Sequence, residues 1–218
     1  MLRFLLIALT LGWDKALGVE GLDPRLTRSE VKVVAYGEAN RVAVGSGVVV
    51  GEGKGATSCH VTRTAHAIAL FQGAMRYEVL AQRAAPERDV CLLQAKLNLP
   101  AVQLGEAVAG EAAYLYGYPG GVGLSVTKTQ IRSLHPYQDG QLIELEAGFV
   151  HGASGGALFN EHGQLIGLAT FMQRKPPAFY AIPAGWVTMV LSRQAGPIQP
   201  LLERPFWQTD SNFLEDKL

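Results

Sequence analysis

Excess charge is the first thing this sequence lacks: 19 Lys and Arg stand against 19 Asp and Glu in 218 residues. Without a basic field there is nothing to draw in nucleic acid or an anionic membrane surface, so neither is expected as a partner. Cysteine is nearly missing. Cys59 and Cys91 are the two present, which allows one intramolecular bridge at most. Two sulfurs without dedicated histidines nearby do not make a four-ligand zinc site, and no metal or other cofactor is expected. Long apolar runs are missing too. The apolar stretch Phe4 to Trp13 is too short to span a bilayer comfortably. No tandem repeat and no low-complexity tract interrupts the chain.

What is present suits one globular unit with a sizeable core, since 48% of residues are hydrophobic. The opening "MLRFLLIALTLGWDKALG" pairs a short basic start with an apolar run and small residues near Gly18. It reads as a signal peptide over residues 1–18, hence a secreted or periplasmic protein with no stable membrane association after cleavage. Residues 19–30 are polar and read as a loose segment. From Val31 the texture becomes short Val-, Leu-, Ile- and Tyr-rich runs such as "VKVVAYG", "VAVGSGVVVG" and "QLIGLATFM", several alternating at period two as half-buried strands do. The 25 glycines and 11 prolines separate them. "EHGQL" reads as a hairpin turn with His162-Gly163 at its tip. A short helical piece is expected in "HVTRTAHAIALF". A better one lies in "PAGWVTMVLSRQ", where Trp186, Val187, Val190 and Leu191 share a face. The expectation is an all-β barrel or sandwich with one terminal helix.

The chemistry centres on "VHGASGGALFN", residues 150–160. "GASGG" satisfies the nucleophile-elbow pattern G-x-S-x-G, but that pattern needs a helix after the serine and then an acid and a histidine in that order. A strand hairpin follows instead, and His162 precedes both Asp210 and Asp216, so the order fails. The other order is His, Asp, Ser. Of the upstream histidines, His60 alone combines small neighbours with a preceding strand, in "GATSCHV". Asp89 and Asp139 are the two aspartates between His60 and Ser154. Asp139 sits in a turn, "YQDGQ", where Asp mainly satisfies local backbone groups. Asp89 opens the apolar run "DVCLLQA", where a carboxylate is costly without a partner, and an imidazole N–H is such a partner.

In this order "GSGVVV", "TSCHV", "RDVCLLQ", "YLYGYPGG", "LSVT", "HGASGGALFN", "GQLIGL" and "YAIP" resemble the trypsin/chymotrypsin-fold serine proteases, most of all their bacterial HtrA/Deg-like branch, over about residues 31–190. The resemblance implies two six-stranded antiparallel β-barrels, about 31–106 and 107–185, followed by a C-terminal helix, within a protease domain of 31–195 and a tail of 196–218. Deg-like relatives often carry a PDZ domain at this point; about 28 residues follow the expected helix, far fewer than a domain needs, so none is expected here. The resemblance makes His60 the general base, Asp89 its orienting carboxylate, Ser154 the nucleophile, and the N–H groups of Gly152 and Ser154 the oxyanion hole. The substrate pocket is expected from Gly148, Phe149 and His151 before the serine and from Thr170, Phe171 and Met172 after "IGLA", with no acid among them and hence a small or medium apolar residue before the cut. His151 is open to two readings, a solvated loop histidine or a substrate contact. Ala153 replaces the polar residue that relatives carry before the nucleophile, so loop order is expected from packing or substrate, with no zymogen switch of the pancreatic type. If Asp89 reaches His60, Cys91 is expected to reach Cys59, because residues two apart on a strand share a face; two buried thiols are the alternative. The tail is expected to pack back through Leu201, Phe206 and Trp207. The implied activity is a serine endopeptidase acting on peptide or protein substrates. An esterase or other acyl hydrolase on the same scaffold, and a non-catalytic peptide-binding relative, are the competing readings.

Overall fold

A computed structural model of the chain describes residues 23–174 and 177–209. The expected signal peptide, residues 1–18, and the end of the tail, residues 210–218, lie outside them. Twelve strands form two closed antiparallel barrels. The first takes β1 (Glu30–Gly37), β2 (Val42–Gly51), β3 (Lys54–Ser58), β4 (Ala65–Gln72), β5 (Met75–Ala85) and β6 (Val90–Ala95) in the order β1-β2-β3-β6-β5-β4. The second takes β7 (Ala112–Gly117), β8 (Ser125–Tyr137), β9 (Gly140–Leu145), β10 (Ala157–Asn160), β11 (Leu165–Arg174) and β12 (Pro177–Pro183) in the order β10-β11-β12-β9-β8-β7. This is the all-β, two-barrel architecture expected from the sequence. Closure leaves neither sheet with exposed long edges.

Alternation decides which way each strand faces. In β1, Val31, Val33 and Ala35 are buried while Lys32, Val34 and Tyr36 are partly exposed, the period of two that a barrel wall needs. Val31, Val33, Val49, Ile68 and Leu70 fill the first barrel. Leu115, Ile131, Ile143, Leu145 and Leu158 fill the second. A further apolar cluster bridges them, joining Leu92 of the first barrel to Tyr116, Phe159 and Trp186. Helix α3 (Gly185–Leu191) buries Trp186, Val187 and Val190 against β5, β6 and β12, so a helix that follows the second barrel closes over the first.

Three expectations need correction. The helical piece in "HVTRTAHAIALF" is a single turn, α2 (Cys59–Thr62), and from Ala65 the chain is strand. The register between β1 and β5 needs a sixth strand, and Ile68, Ala69 and Leu70 fill it, so pairing overrides local spacing. The segment before β1 is not wholly loose: α1 (Pro24–Thr27) forms a turn with Pro at its start, and the Asp23 carboxylate accepts the Arg25 N–H. Asp139 accepts from the Arg88 guanidinium, which lies over the Trp186 ring, where its turn had suggested local backbone partners.

Glu30 opens β1 fully buried, and both carboxylate oxygens lack a hydrogen-bond partner among the described residues. Desolvation pushes its carboxyl well above the ordinary range. The folded state therefore binds this proton more tightly than the unfolded chain does. The contribution to stability is greatest below the unfolded pKa and falls as pH rises above it. Glu30→Gln is expected to flatten this decline and raise Tm by about 4 °C at pH 8, with little change near pH 4, in thermal melts followed by circular dichroism.

Candidate active site

The site forms where the two barrels meet. After β3 the chain turns through α2, which presents His60 towards the second barrel. Asp89 ends a 3-10 turn, Pro86–Arg88, just before β6. It does not open the strand, as the sequence had suggested, but sits before it in left-handed backbone with φ of 58°. Few residues tolerate that conformation, and Asp is among those enriched there. The turn points the carboxylate inwards, where it is fully buried.

Three donors meet it. The His60 backbone N–H donates to Oδ1 at 2.8 Å, and the His60 ring Nδ1 meets Oδ2 at 2.7 Å. The Thr170 hydroxyl donates to the same Oδ2 at 2.5 Å. A buried carboxylate with this many partners avoids the desolvation penalty that an unpaired one would carry. It also holds the imidazole by two handles, backbone and ring, and a ring with Nδ1–H on the carboxylate keeps Nε2 as its free base. A disulfide between Cys59 and Cys91, with Cα atoms 4.9 Å apart, ties the His60 segment to β6. The Cys59 N–H adds a hydrogen bond to the Asp89 carbonyl.

The loop 148–156 lies against this pair. Gly155 has φ of 79°, and a Cβ there would come within 2.9 Å of the Ser58 nitrogen, so the loop packs directly on the segment that leads to His60. Gly152 has φ of 93°, and a Cβ there would lie 2.5 Å from the Tyr118 carbonyl oxygen, a position only glycine fits. Ser46 organises the loop from the first barrel. Its hydroxyl donates to the Gly152 carbonyl at 2.7 Å and accepts from the Tyr118 N–H at 2.8 Å, while its own N–H donates to the Ser154 carbonyl. The Gly120 N–H holds the His151 carbonyl at 2.8 Å. Because the peptide is planar and trans, the Gly152 N–H then points the opposite way. Among the described residues, neither the Gly152 nor the Ser154 N–H has an acceptor. The Ser154 hydroxyl makes no hydrogen bond to the His60 ring among them.

The expected pocket residues have different surroundings in the structure. A cavity of about 190 Å³ beside the loop is lined by Gly148, Phe149 and Ala153 on one side and by Pro119, Ser125 and Thr127 on the other. Phe149 on this lining is buried against Phe179, with ring centroids 5.6 Å apart. His151 is exposed and does not line it. Thr170 turns to Asp89, away from the cavity. Phe171 stacks on Tyr180 at 4.7 Å, and Met172 packs part-buried on the cluster that contains Phe149. Ser46 is the residue that sequence reasoning passed over. Its signal was a serine between glycines inside an apolar run, "VGSGVVV", where a buried hydroxyl must find partners. Among the described residues no three of His, Cys, Asp and Glu stand together as a metal site, and no helix is long and apolar enough to cross a membrane.

Comparison with known proteins gives concordant findings. A family model described as trypsin-like peptidase domain matches residues 45–168. The periplasmic serine endoprotease DegP of Salmonella typhimurium is 31% identical over 144 residues, which cover 59% of this chain and 30% of the relative. The chain thus spans under a third of the length of that curated relative. Among solved structures, the active form of the Rv3671c protease from M. tuberculosis superposes with a TM-score of 0.74 at 22% identity, covering 83% of this chain and 86% of that one. At that identity the likeness speaks for the fold alone. The serine endoprotease from Yersinia pestis gives a TM-score of 0.69 at 27% identity, covering 77% of this chain and 62% of that one.

The disulfide closes a loop across a sequence separation of 32. Replacing both cysteines by serine is expected to lower unfolding free energy by about 3 kcal/mol, read from urea denaturation.

Proposed function

This chain belongs to the family of trypsin-like peptidase domains, and on that premise we propose that it hydrolyses peptide bonds as a serine endopeptidase. The observation that carries the reading is the buried Asp89 carboxylate on the His60 ring, against a loop whose Gly152 and Ser154 N–H groups have no acceptor among the described residues.

A serine hydroxyl near neutral pH is a poor nucleophile and needs a base. In the proposed reaction the Ser154 Oγ attacks the scissile carbonyl while His60 Nε2 takes its proton. Asp89 stabilises the imidazolium that forms, and the N–H groups of Gly152 and Ser154 hold the oxyanion. His60 returns the proton to the leaving amine. Water, deprotonated by His60, then attacks the acyl-enzyme; His60 returns that proton to the departing Ser154 Oγ, the acyl C–O bond breaks, and the carboxylic product leaves. N–H groups without acceptors among the described residues support this, because donors held in place by the fold need no reorganisation during the reaction.

Ser46 is a positioning residue in this scheme, since it fixes the peptide planes of the loop and touches no substrate. The cavity at Gly148 and Phe149, with no charged side chain on its lining, supports a small or medium apolar residue on the acyl side of the cut. The disulfide supports an oxidising compartment, secreted or periplasmic. The word periplasmic in the relative's name agrees with this.

Ser154→Ala and His60→Ala are each expected to lower kcat by about 10⁶-fold on a peptide library read by mass spectrometry, with unchanged circular dichroism. A variant that keeps near-wild-type turnover would refute the assignment, and cleavage of short-chain esters but no peptides would favour an acyl hydrolase. Folded protein that takes no fluorophosphonate on Ser154 would favour a binding role. Ser46→Ala is expected to lower kcat about tenfold with little change in KM, because the loop loses an oriented hydrogen bond felt mainly in the transition state.

A further inference from the structure

The C-terminal segment returns to the site by a defined path. Gly196 exchanges two backbone hydrogen bonds with Gln82 of β5, at 2.8 and 2.9 Å. The Gln82 side-chain amide donates to the Gln199 carbonyl, and the Leu201 N–H donates to the carbonyl of Arg63, just past α2. Residues 202–204 are exposed, Leu202 almost completely. The chain then forms a single turn, α4 (Phe206–Thr209), over the cleft.

Two aromatic residues dock there. Phe206 is buried among Tyr137 at 4.7 Å, Phe171 at 5.7 Å and Trp186 at 6.2 Å between ring centroids. Trp207 lies between the proposed base and the strand that follows Thr170. It meets the His60 ring edge-on at 5.5 Å and stacks on Phe171 at 5.5 Å, extending the Phe171–Tyr180 stack. The His60 side chain is 21% exposed. A substrate whose carbonyl sits on Ser154 must bring its flanking residues past this imidazole, because the base has to reach the reacting oxygen. Trp207 stands in that space.

We propose that Phe206 and Trp207 form an intramolecular strap that occupies an aromatic subsite beside His60, and that extended peptides bind only when Trp207 leaves it. The ligand class of the subsite is an aromatic side chain, supplied in cis by the chain's own tail. The seat is also incompletely satisfied. The Trp207 indole N–H is buried without an acceptor among the described residues, a cost that narrows the gap between the closed and open positions. Phe206, the more deeply buried of the two, anchors the strap, and Trp207 is the part that moves. The inference rests on Ser154 and His60 as the reacting pair, but its physical content is competition for space.

Binding tests it independently of turnover. In full-length Ser154→Ala protein, adding Trp207→Ala is expected to tighten binding of fluorescein-labelled unfolded casein at least tenfold by anisotropy. Hydrogen exchange on the Ser154→Ala protein gives the second reading, in the unaltered tail: saturating casein is expected to speed exchange of amides in 205–209. With Ser154 present, Trp207→Ala is expected to raise kcat/KM on casein about tenfold while labelling by a small fluorophosphonate, which does not reach past His60, changes less than twofold. Equal or weaker casein binding, or unchanged exchange in 205–209, would overturn the strap. Loss of fluorophosphonate labelling in the wild-type chain would strike the proposed function, and the binding and exchange results would still decide the strap.

Discussion

The structure of the site depends on one buried carboxylate. Asp89 has no exposure, yet it accepts from the His60 backbone, the His60 ring and the Thr170 hydroxyl. Take away those donors and the charge becomes prohibitive at that depth. Take away the carboxylate and the imidazole loses the contact that sets its tautomer and angle. The donors come from both barrels, His60 from the turn after β3 and Thr170 from β11. Satisfying one charge therefore also joins the two halves of the molecule, and the disulfide from Cys59 to Cys91 holds the same junction covalently.

The loop that carries Ser154 is ordered by a different set of forces. Its backbone follows a path that needs positive φ at Gly152 and Gly155, and its carbonyls are fixed by Ser46 and by the Gly120 N–H. The His151 carbonyl held by the Gly120 N–H and the Ala153 carbonyl held by the Gly156 N–H leave the Gly152 and Ser154 N–H groups on the opposite sides of those two peptides. The small residue Ala153 is buried in the loop, and order comes from packing and from Ser46, with no side-chain tether at 153. Rigidity here and a movable aromatic strap alongside are compatible. The loop is gripped by hydrogen bonds from neighbouring strands, whereas α4 is one turn long and preceded by exposed chain.

The period-two runs and their turn residues made the strands legible, because a barrel wall repeats one simple rule along each strand. His60 and Asp89 were legible for a chemical reason: a carboxylate at the head of an apolar run demands a donor, and few histidines qualify. The cysteine pairing was legible by the same logic, although Asp89 turned out to stand in left-handed backbone before the strand and not on its face. The side-chain partners of Thr170 and Phe171, the Asp89 carboxylate and the Tyr180 and Trp207 rings, were not legible in the sequence. Which way a strand residue points after a bulge depends on register, and β11 shifts register against β12 between Ala169 and Phe171. "HVTRTAHAIALF" was misjudged because mixed spacing cannot report that two neighbouring strands are waiting for a third.

The amino-acid order by itself determined the class of fold, the run of short strands, and which residue types had to find partners, since periodicity and the cost of burying charge act locally and read directly from the order of residues. Tertiary structure alone decided that Ser46 reaches 106 residues along the chain to fix Gly152, that Arg88 finds Asp139, and that the tail, expected to pack back, sets Trp207 on the His60 ring. Such contacts have no period and no motif. They arise only once two closed barrels have set the distances between segments that sequence keeps far apart.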